Sequence, residues 1–322
     1  MTRSSSASVW TGVVVAVTTP FGTGGAIDHP SFVHHVGWLA DHGVDGIVVA
    51  GSLGEGSVLS SEERTSLVDD LIPVLPERVS ALCAVAAGRT AEVVAQARAA
   101  AKAGAAGLLV LPPYVYRGDR AETKAHFAAV LGATDLPCML YNNPVAYGTD
   151  VGPEEVLELA EDHPTLVGVK ESSGDVRRIT ALKALLGDRV EVAVGLDDAV
   201  LEGVSAGAQG WVAGLANALP DESVALFEAA GRGDHDRAAE LYQWFLPLLR
   251  FDTTPKFVQQ IKLVEEAMGL GSARVRPPRL ELHGAEREQV LATLRDCLSR
   301  RPVLASRPRR HDRVRAPKRA KE

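Results

Sequence analysis

Leu166-Val167-Gly168-Val169-Lys170-Glu171-Ser172 is a short run of β-branched and small residues that ends in a lysine. Its length and its lack of polar alternation read as a strand buried on both faces, the kind found in parallel sheets. A lysine at the end of such a strand is costly, because its ammonium must leave water. Burial is expected to lower its pKa and free some neutral amine, the form that attacks carbonyl carbon. The alternative is a strand that merely ends there, with Lys170 in solvent and paired to Glu171, and the strand alone does not choose between the two. With a side-chain period of two, Leu166, Gly168 and Lys170 share one face and Val167 and Val169 the other. If the first set points inward, Gly168 leaves empty volume beneath the lysine.

Outward from this stretch, apolar runs and amphipathic segments alternate. Strands are expected at Gly12–Thr18, Asp45–Gly51, Val79–Ala86, Gly107–Leu111, Pro137–Tyr141, Leu166–Lys170, Val190–Gly195 and Gly210–Leu215. Apolar residues at three- and four-residue spacing predict helices between them, at Pro30–Asp41, Glu62–Leu75, Ala91–Ala103, Arg120–Leu131, Pro153–Ala160, Val176–Leu186 and Asp198–Ala206. Such alternation means parallel pairing, and eight units over about 210 residues point to a closed (β/α)8 TIM barrel. The barrel is expected over residues 10–220, after a flexible lead-in at 1–9. Further helices at Glu222–Ala230, Asp236–Leu249, Thr254–Met268 and Ala285–Ser299 form a C-terminal helical region, 221–299, packed on the barrel. An open doubly wound sheet is the competing architecture. It would want a dinucleotide turn after the first strand, and Phe21-Gly22-Thr23-Gly24-Gly25 is not one.

Composition sets outer bounds. The 322 residues are 46% hydrophobic and 23% charged, ordinary for a globular chain. No apolar run approaches the ~20 residues of a membrane span, and MTRSSSASVW lacks the apolar core of a signal peptide, so a cytoplasmic location is expected. Cys83, Cys138 and Cys297 form no CxxC pair, which argues against disulfides and a zinc site. His34-His35 has no third ligand at metal spacing. The net charge is −7, yet from Arg300 onward the chain is almost wholly basic. This tail, 300–322, is rich in Pro and Arg and is expected to be disordered. Contact with nucleic acid or an acidic partner is the less favoured reading of it, because no aromatic side chains are interleaved.

Chemistry on a barrel sits at the carboxyl ends of the strands, and Lys170 lies at such an end. The second strand runs into Gly51-Ser52-Leu53-Gly54-Glu55-Gly56, a tight turn whose amides, with the Ser52 hydroxyl, can hold a carboxylate. The fifth runs through Cys138-Met139-Leu140-Tyr141-Asn142-Asn143-Pro144. There Tyr141 reads either as a phenol that passes protons or as a ring closing the barrel top. Asp197-Asp198 opens a helix, where charge at the N-terminus explains it adequately, though contact with substrate hydroxyls is also open. Trp211 is expected to face the helix layer.

GSLGE after the second strand, LPPY after the fourth, YNNP after the fifth and GVKESSGD at the sixth resemble, in this order and spacing, the dihydrodipicolinate synthase and N-acetylneuraminate lyase superfamily, over about residues 10–298. The resemblance implies a class I aldolase-type site that needs neither metal nor organic cofactor. Lys170 would form a Schiff base with the carbonyl of a 2-oxo acid, and the protonated imine would act as an electron sink. It also implies that Tyr141 relays protons and that Ser52 holds the substrate carboxylate and orients that tyrosine. Tyr114 falls where synthase members place a tyrosine reaching across a subunit interface. Gly51, Leu53, Asn143, Gly195 and Val212 fall on positions around the same pocket. A homo-oligomer, tetramer or dimer, is implied as well.

Departures from the motif narrow the reading. Leu53 replaces a second hydroxyl, which would make that wall of the pocket apolar. Ala146 stands where synthases carry an arginine for the second substrate's carboxylate, a contact worth roughly 2–5 kcal/mol when buried. A true 4-hydroxy-tetrahydrodipicolinate synthase is therefore disfavoured. Closer in pattern are catabolic members acting on 2-oxo acids: aldolases, dehydratases and the deaminase of pyrroline-4-hydroxy-2-carboxylate. A barrel that binds a 2-oxo acid without turning it over is the non-enzymatic alternative.

Overall fold

A computed structural model describes residues 8–304. Residues 1–7 of the expected lead-in and 305–322 of the expected basic tail lie outside the described residues. Eight strands, β1 (Gly12–Ala16), β2 (Gly46–Val49), β3 (Ser80–Val85), β4 (Gly107–Val110), β5 (Cys138–Asn142), β6 (Leu166–Glu171), β7 (Glu191–Val194) and β8 (Gly210–Ala213), form a closed parallel barrel in chain order. The ring closes where Gly12 to Val15 pair with Gly210 to Ala213. The chain is thus a (β/α)8 TIM barrel with additional C-terminal helices, as its sequence pattern predicts. Most strands are shorter than the apolar runs that announced them, because the last residues of those runs leave the ladder to shape the mouth.

The helices form where local signals start them. Ser60 and Asp119 cap the helices Ser61–Leu71 and Arg120–Leu131, each with a glutamate three residues on that bonds back to the cap amide. Pro220–Gly231 packs against β1 and against the helix Val200–Ser205, and so closes the outer ring as its eighth helix. His235–Leu249 packs against it, Gly284–Ser299 packs on His235–Leu249, and Phe257–Ala267 packs on Gly284–Ser299. The chain is still tied to this layer beyond residue 300: Arg301 donates to Glu222 at 2.5 Å and Arg237 to the Val303 carbonyl at 2.8 Å. Among the described residues no helix is long and apolar enough to cross a membrane.

The barrel separates two apolar layers. Inside lie Val14, Val48, Leu82, Leu109, Met139 and Val212; between strands and helices lies a larger layer that includes Val13, Ile47, Cys83, Leu140 and Trp211. Trp10 plugs the bottom, its ring and carbonyl set against the first residues of β4 and β8.

β6 departs from strict alternation. Cys138 pairs with Leu166 but Met139 pairs with Gly168, so Val167 is an extra residue in the ladder. Such a bulge shifts the face assignment by one residue at that point. Leu166 joins the outer layer and Val167 packs toward the inner one, the reverse of the period-two expectation. Beyond the bulge the expected order returns, with Val169 outward and Lys170 inward. The volume under the lysine is not empty either. A methyl group at Gly168 would lie 2.8 Å from Met139 Cε, so the methionine fills the space that the glycine leaves.

Candidate active site

Lys170 sits at the mouth with 7% of its surface exposed. Tyr141 is its direct partner across the β5–β6 ladder, and the two inward side chains meet, the ammonium nitrogen 4.3 Å from the centre of the phenol ring. The reading of Lys170 as a solvated strand end is excluded. Glu171 points the other way, where it accepts from Asn142 Nδ2 at 3.2 Å and Ser173 N at 2.6 Å and lies 3.4 Å from Arg178.

Gly195, just past β7, sets the height of the lysine. A methyl group there would lie 2.7 Å from Lys170 Cε and overlap the Ser172 hydroxyl, so only glycine lets the lysine stem pass. Val212 is in the inner layer.

On the opposite side, Ser52 does not hold Tyr141 as expected. Its hydroxyl is bonded to the Tyr147 hydroxyl. Tyr147 meets Tyr141 edge-on at 5.7 Å between ring centres and Tyr114 at 6.0 Å. The Tyr141 hydroxyl instead accepts from Asn143 Nδ2 at 3.1 Å, and Asn143 Oδ1 caps the short helix Pro144–Tyr147 by accepting from Ala146 N at 2.9 Å. Asn143 is therefore a support for Tyr141 rather than an open wall of the pocket. Tyr114 packs toward the inner layer of its own barrel. Burial raises the Tyr114 phenol pKa, and burial followed by the neighbouring Tyr141 and Tyr114 raises that of Tyr147 well above the usual tyrosine range.

Leu53 also differs from expectation. Its side chain is buried and packs with the larger, outer apolar layer. Gly51 is buried beside Ala84. Ala146 is exposed and brings no charge, but Arg117 of the loop after β4 lies against Gly148, so the segment that lost an arginine has a guanidinium beside it.

The rim between β7 and β8 carries two carboxyl groups. Asp197 is buried and accepts from Trp211 Nε1 at 2.9 Å, Gly214 N at 3.0 Å and Leu215 N at 2.7 Å, which ties the end of β7 to the end of β8. Trp211 faces the helix layer as expected. Asp252, on the turn Arg250–Thr253, reaches the Asp197 amide at 3.4 Å and lies above Gly214. Burial pushes Asp197 up to about 6, against its hydrogen bonds and Lys170. Burial and the charge of Asp197 raise Asp252 well above the carboxylate range, with Lys170 opposing.

The turn after β2 is fastened from behind. Glu55 is fully buried with a left-handed backbone, φ +56°. It accepts from Lys262 Nζ at 2.6 Å and from Arg276 N at 3.0 Å, both from the C-terminal region. His35 is buried against Asn217 at 3.4 Å, and burial lowers its pKa to about 4. Among the described residues no three His, Cys, Asp or Glu side chains gather as a metal site.

Tyr147, Asp252 and Lys262 have no place in the sequence reading. Tyr147 was readable in principle, three residues after the YNNP motif. Lys262 lies in a helix and Asp252 on the turn before it, and nothing local marks either.

The model of the dihydrodipicolinate synthetase family matches residues 9–297. A 4-hydroxy-tetrahydrodipicolinate synthase of Thermomicrobium roseum is 34% identical over 297 residues, which cover 91% of this chain and 97% of that one. A putative dihydrodipicolinate synthetase from Pseudomonas aeruginosa superposes with a TM-score of 0.85 at 32% identity, covering 89% of this chain and 99% of the other. YagE, a prophage protein of the dihydrodipicolinic acid synthase family from E. coli K12 solved in complex with pyruvate, gives 0.85 at 29% identity, covering 90% and 99%.

Proposed function

The chain belongs to the dihydrodipicolinate synthetase family, and from that premise we propose that it is a lyase whose Lys170 forms a Schiff base with a 2-oxo acid. The observation that carries this reading is the pairing of one buried amine with one buried phenol at the barrel mouth, 4.3 Å from nitrogen to ring centre.

The amine adds to the ketone carbon, and the carbinolamine loses its oxygen as water once that oxygen has been protonated. Tyr141, held by Asn143 and with its ring against the nitrogen, is assigned the giving and recovery of this proton. The cationic imine then draws electrons from the adjacent carbon, so that a bond one carbon away is made or broken through an enamine. The substrate carboxylate is assigned to the turn at Ser52, whose own proton is free for it when Tyr147 donates to Ser52 Oγ.

Incubation with pyruvate and borohydride should add a reduced three-carbon acid to Lys170, located by peptide mass. Lys170→Arg should leave the fold unchanged and abolish turnover, because a guanidinium stays protonated and does not attack carbonyls. Binding of pyruvate that survives Lys170→Ala, with no trapped adduct in the parent, would instead favour the non-catalytic barrel.

A second reading, the synthase, has two supports: the name carried by the Thermomicrobium relative and Arg117 beside Gly148, where a second carboxylate would be met. Turnover of pyruvate with aspartate semialdehyde tests it. A screen of other 2-oxo acids and of pyrroline-4-hydroxy-2-carboxylate separates aldol cleavage, water loss and ammonia loss. The reading also includes a homo-oligomer, which light scattering at working concentration checks.

A further inference from the structure

Arg64, on the helix Ser61–Leu71, is buried, 3% exposed, and lies behind the turn after β2. It donates through Nη1 to the carbonyls of Ala50 at 2.9 Å and Ala84 at 2.5 Å, and through Nη2 to that of Gly56 at 3.0 Å. Its buried Nε has no partner, and among the described residues it forms no ion pair. A buried guanidinium held by neutral groups, three carbonyls and the nearby Cys83 thiol, is costly to leave without an anion. The carboxylates bonded near the same turn are already matched: Glu55 by Lys262 and Arg279, Glu63 by Arg276.

Ala50 and Gly56 bracket the turn, with Ala50 at φ +57° and Glu55 at φ +56° marking its two bends. A trans peptide carries its N–H opposite its carbonyl. With the Ala50 carbonyl drawn toward Arg64, the Gly51 N–H is aimed the other way. Inside the turn Glu55 N and Gly56 N are used on the carbonyls of Ser52 and Gly51, which leaves the amides of Ser52 and Leu53 without an acceptor among the described residues. The charge of Arg64 is also felt in the mouth, where it opposes the effect of burial on the Tyr114 phenol.

We propose that Arg64 is a positioning residue for the substrate carboxylate: it fixes the peptide planes of the Gly51–Gly56 turn and supplies, from behind, the positive charge that the incoming carboxylate neutralises. This rests on the proposed function for the identity of the ligand, a 2-oxo acid, but not on the lysine chemistry. It makes selectivity for an acid over a neutral ketone depend on a residue that touches neither.

The test compares the parent with Arg64→Met and Arg64→Lys, using borohydride trapping at Lys170 with pyruvate and with hydroxyacetone, which has the ketone but no carboxylate. In Arg64→Met the half-saturating concentration of pyruvate should rise about 10- to 100-fold, the size expected for losing a charge-assisted interaction, while that of hydroxyacetone stays within about twofold. Arg64→Lys keeps the charge but not the three-carbonyl grip, and should fall between. An unchanged pyruvate value in folded Arg64→Met overturns the proposal. So does an equal loss for both ketones, which a collapsed mouth would give. If Arg64→Met does not fold, Arg64→Lys decides by the same ratio. If the parent gives no adduct, the lysine chemistry fails by itself, and the ratio is read from pyruvate-induced shifts in melting temperature. Equal shifts in parent and variants then overturn the role of Arg64.

Discussion

The two sides of the barrel mouth are built by different means. On the β5–β6 side Lys170 and Tyr141 stand opposite one another on adjacent strands, and the ladder itself brings them together. Gly195 fixes the height of one and Asn143 the phenol of the other. On the β2 side the Ser52 turn is irregular backbone. It is held by Arg64 of the helix that follows it and, through Glu55, by the Lys262 ammonium and the Arg276 backbone amide from far along the chain. A strand end positions a side chain by pairing, whereas a turn must be tied down by groups that find it only after the chain has folded.

This contrast can be broken or sharpened by substitution. The largest effect is expected on the tied side. Lys262→Met leaves Glu55, 0% exposed, with its strongest cationic partner removed, and should cost about 3 kcal/mol in chemical denaturation. A loss below about 1 kcal/mol would mean that the turn does not depend on this ion pair. On the paired side stability should change less and catalysis more. Gly195→Ala drives a methyl group into the lysine stem, and the displaced amine should lose about 100-fold in kcat with KM little changed, since misplacement by about 1 Å has that effect. If kcat is untouched, the stem has room that the geometry denies.

The smallest effect concerns the rim between β7 and β8. Asp252 binds its proton more tightly in the folded chain than in the unfolded one, so from the ordinary carboxylate range upward the unfolded state releases it first. Stability therefore falls as pH rises through that window, and the loss is complete above the raised value. Asp252→Asn should flatten this fall and leave the variant the more stable of the two at pH 8. Thermal melts from pH 5 to 8 that run parallel for both proteins would show that the two carboxyls do not repel one another.

Legibility followed the same divide. Lys170 and Tyr141 could be named from strand ends, because alternation puts every second residue on the inner face and the barrel puts chemistry at the carboxyl edge. Even there the bulge at Val167 reversed the faces of two residues. A bulge depends on how two strands register with each other, and one strand's sequence does not state this. The turn was recognised from Gly-Ser-Leu-Gly-Glu, but its contacts were not. Ser52 was expected on Tyr141 and is on Tyr147, and Leu53 was expected in the pocket and is in the outer layer. Arg64, Lys262 and Asp252 carry ordinary helical or loop surroundings in the sequence. Nothing local distinguishes a buried guanidinium from a solvated one.

The sequence by itself determined the eightfold alternation, the parallel barrel, and the edge on which an amine and a phenol would meet. These follow from periodicity, which is a property of neighbours along the chain. Tertiary structure alone decided which hydroxyl holds which phenol, which way the Ser52 turn presents its amides, and that two carboxyls share the rim beside Lys170. Those arrangements depend on groups up to about two hundred residues apart becoming adjacent, and the free energy of burying a charge is settled only when its surroundings are complete.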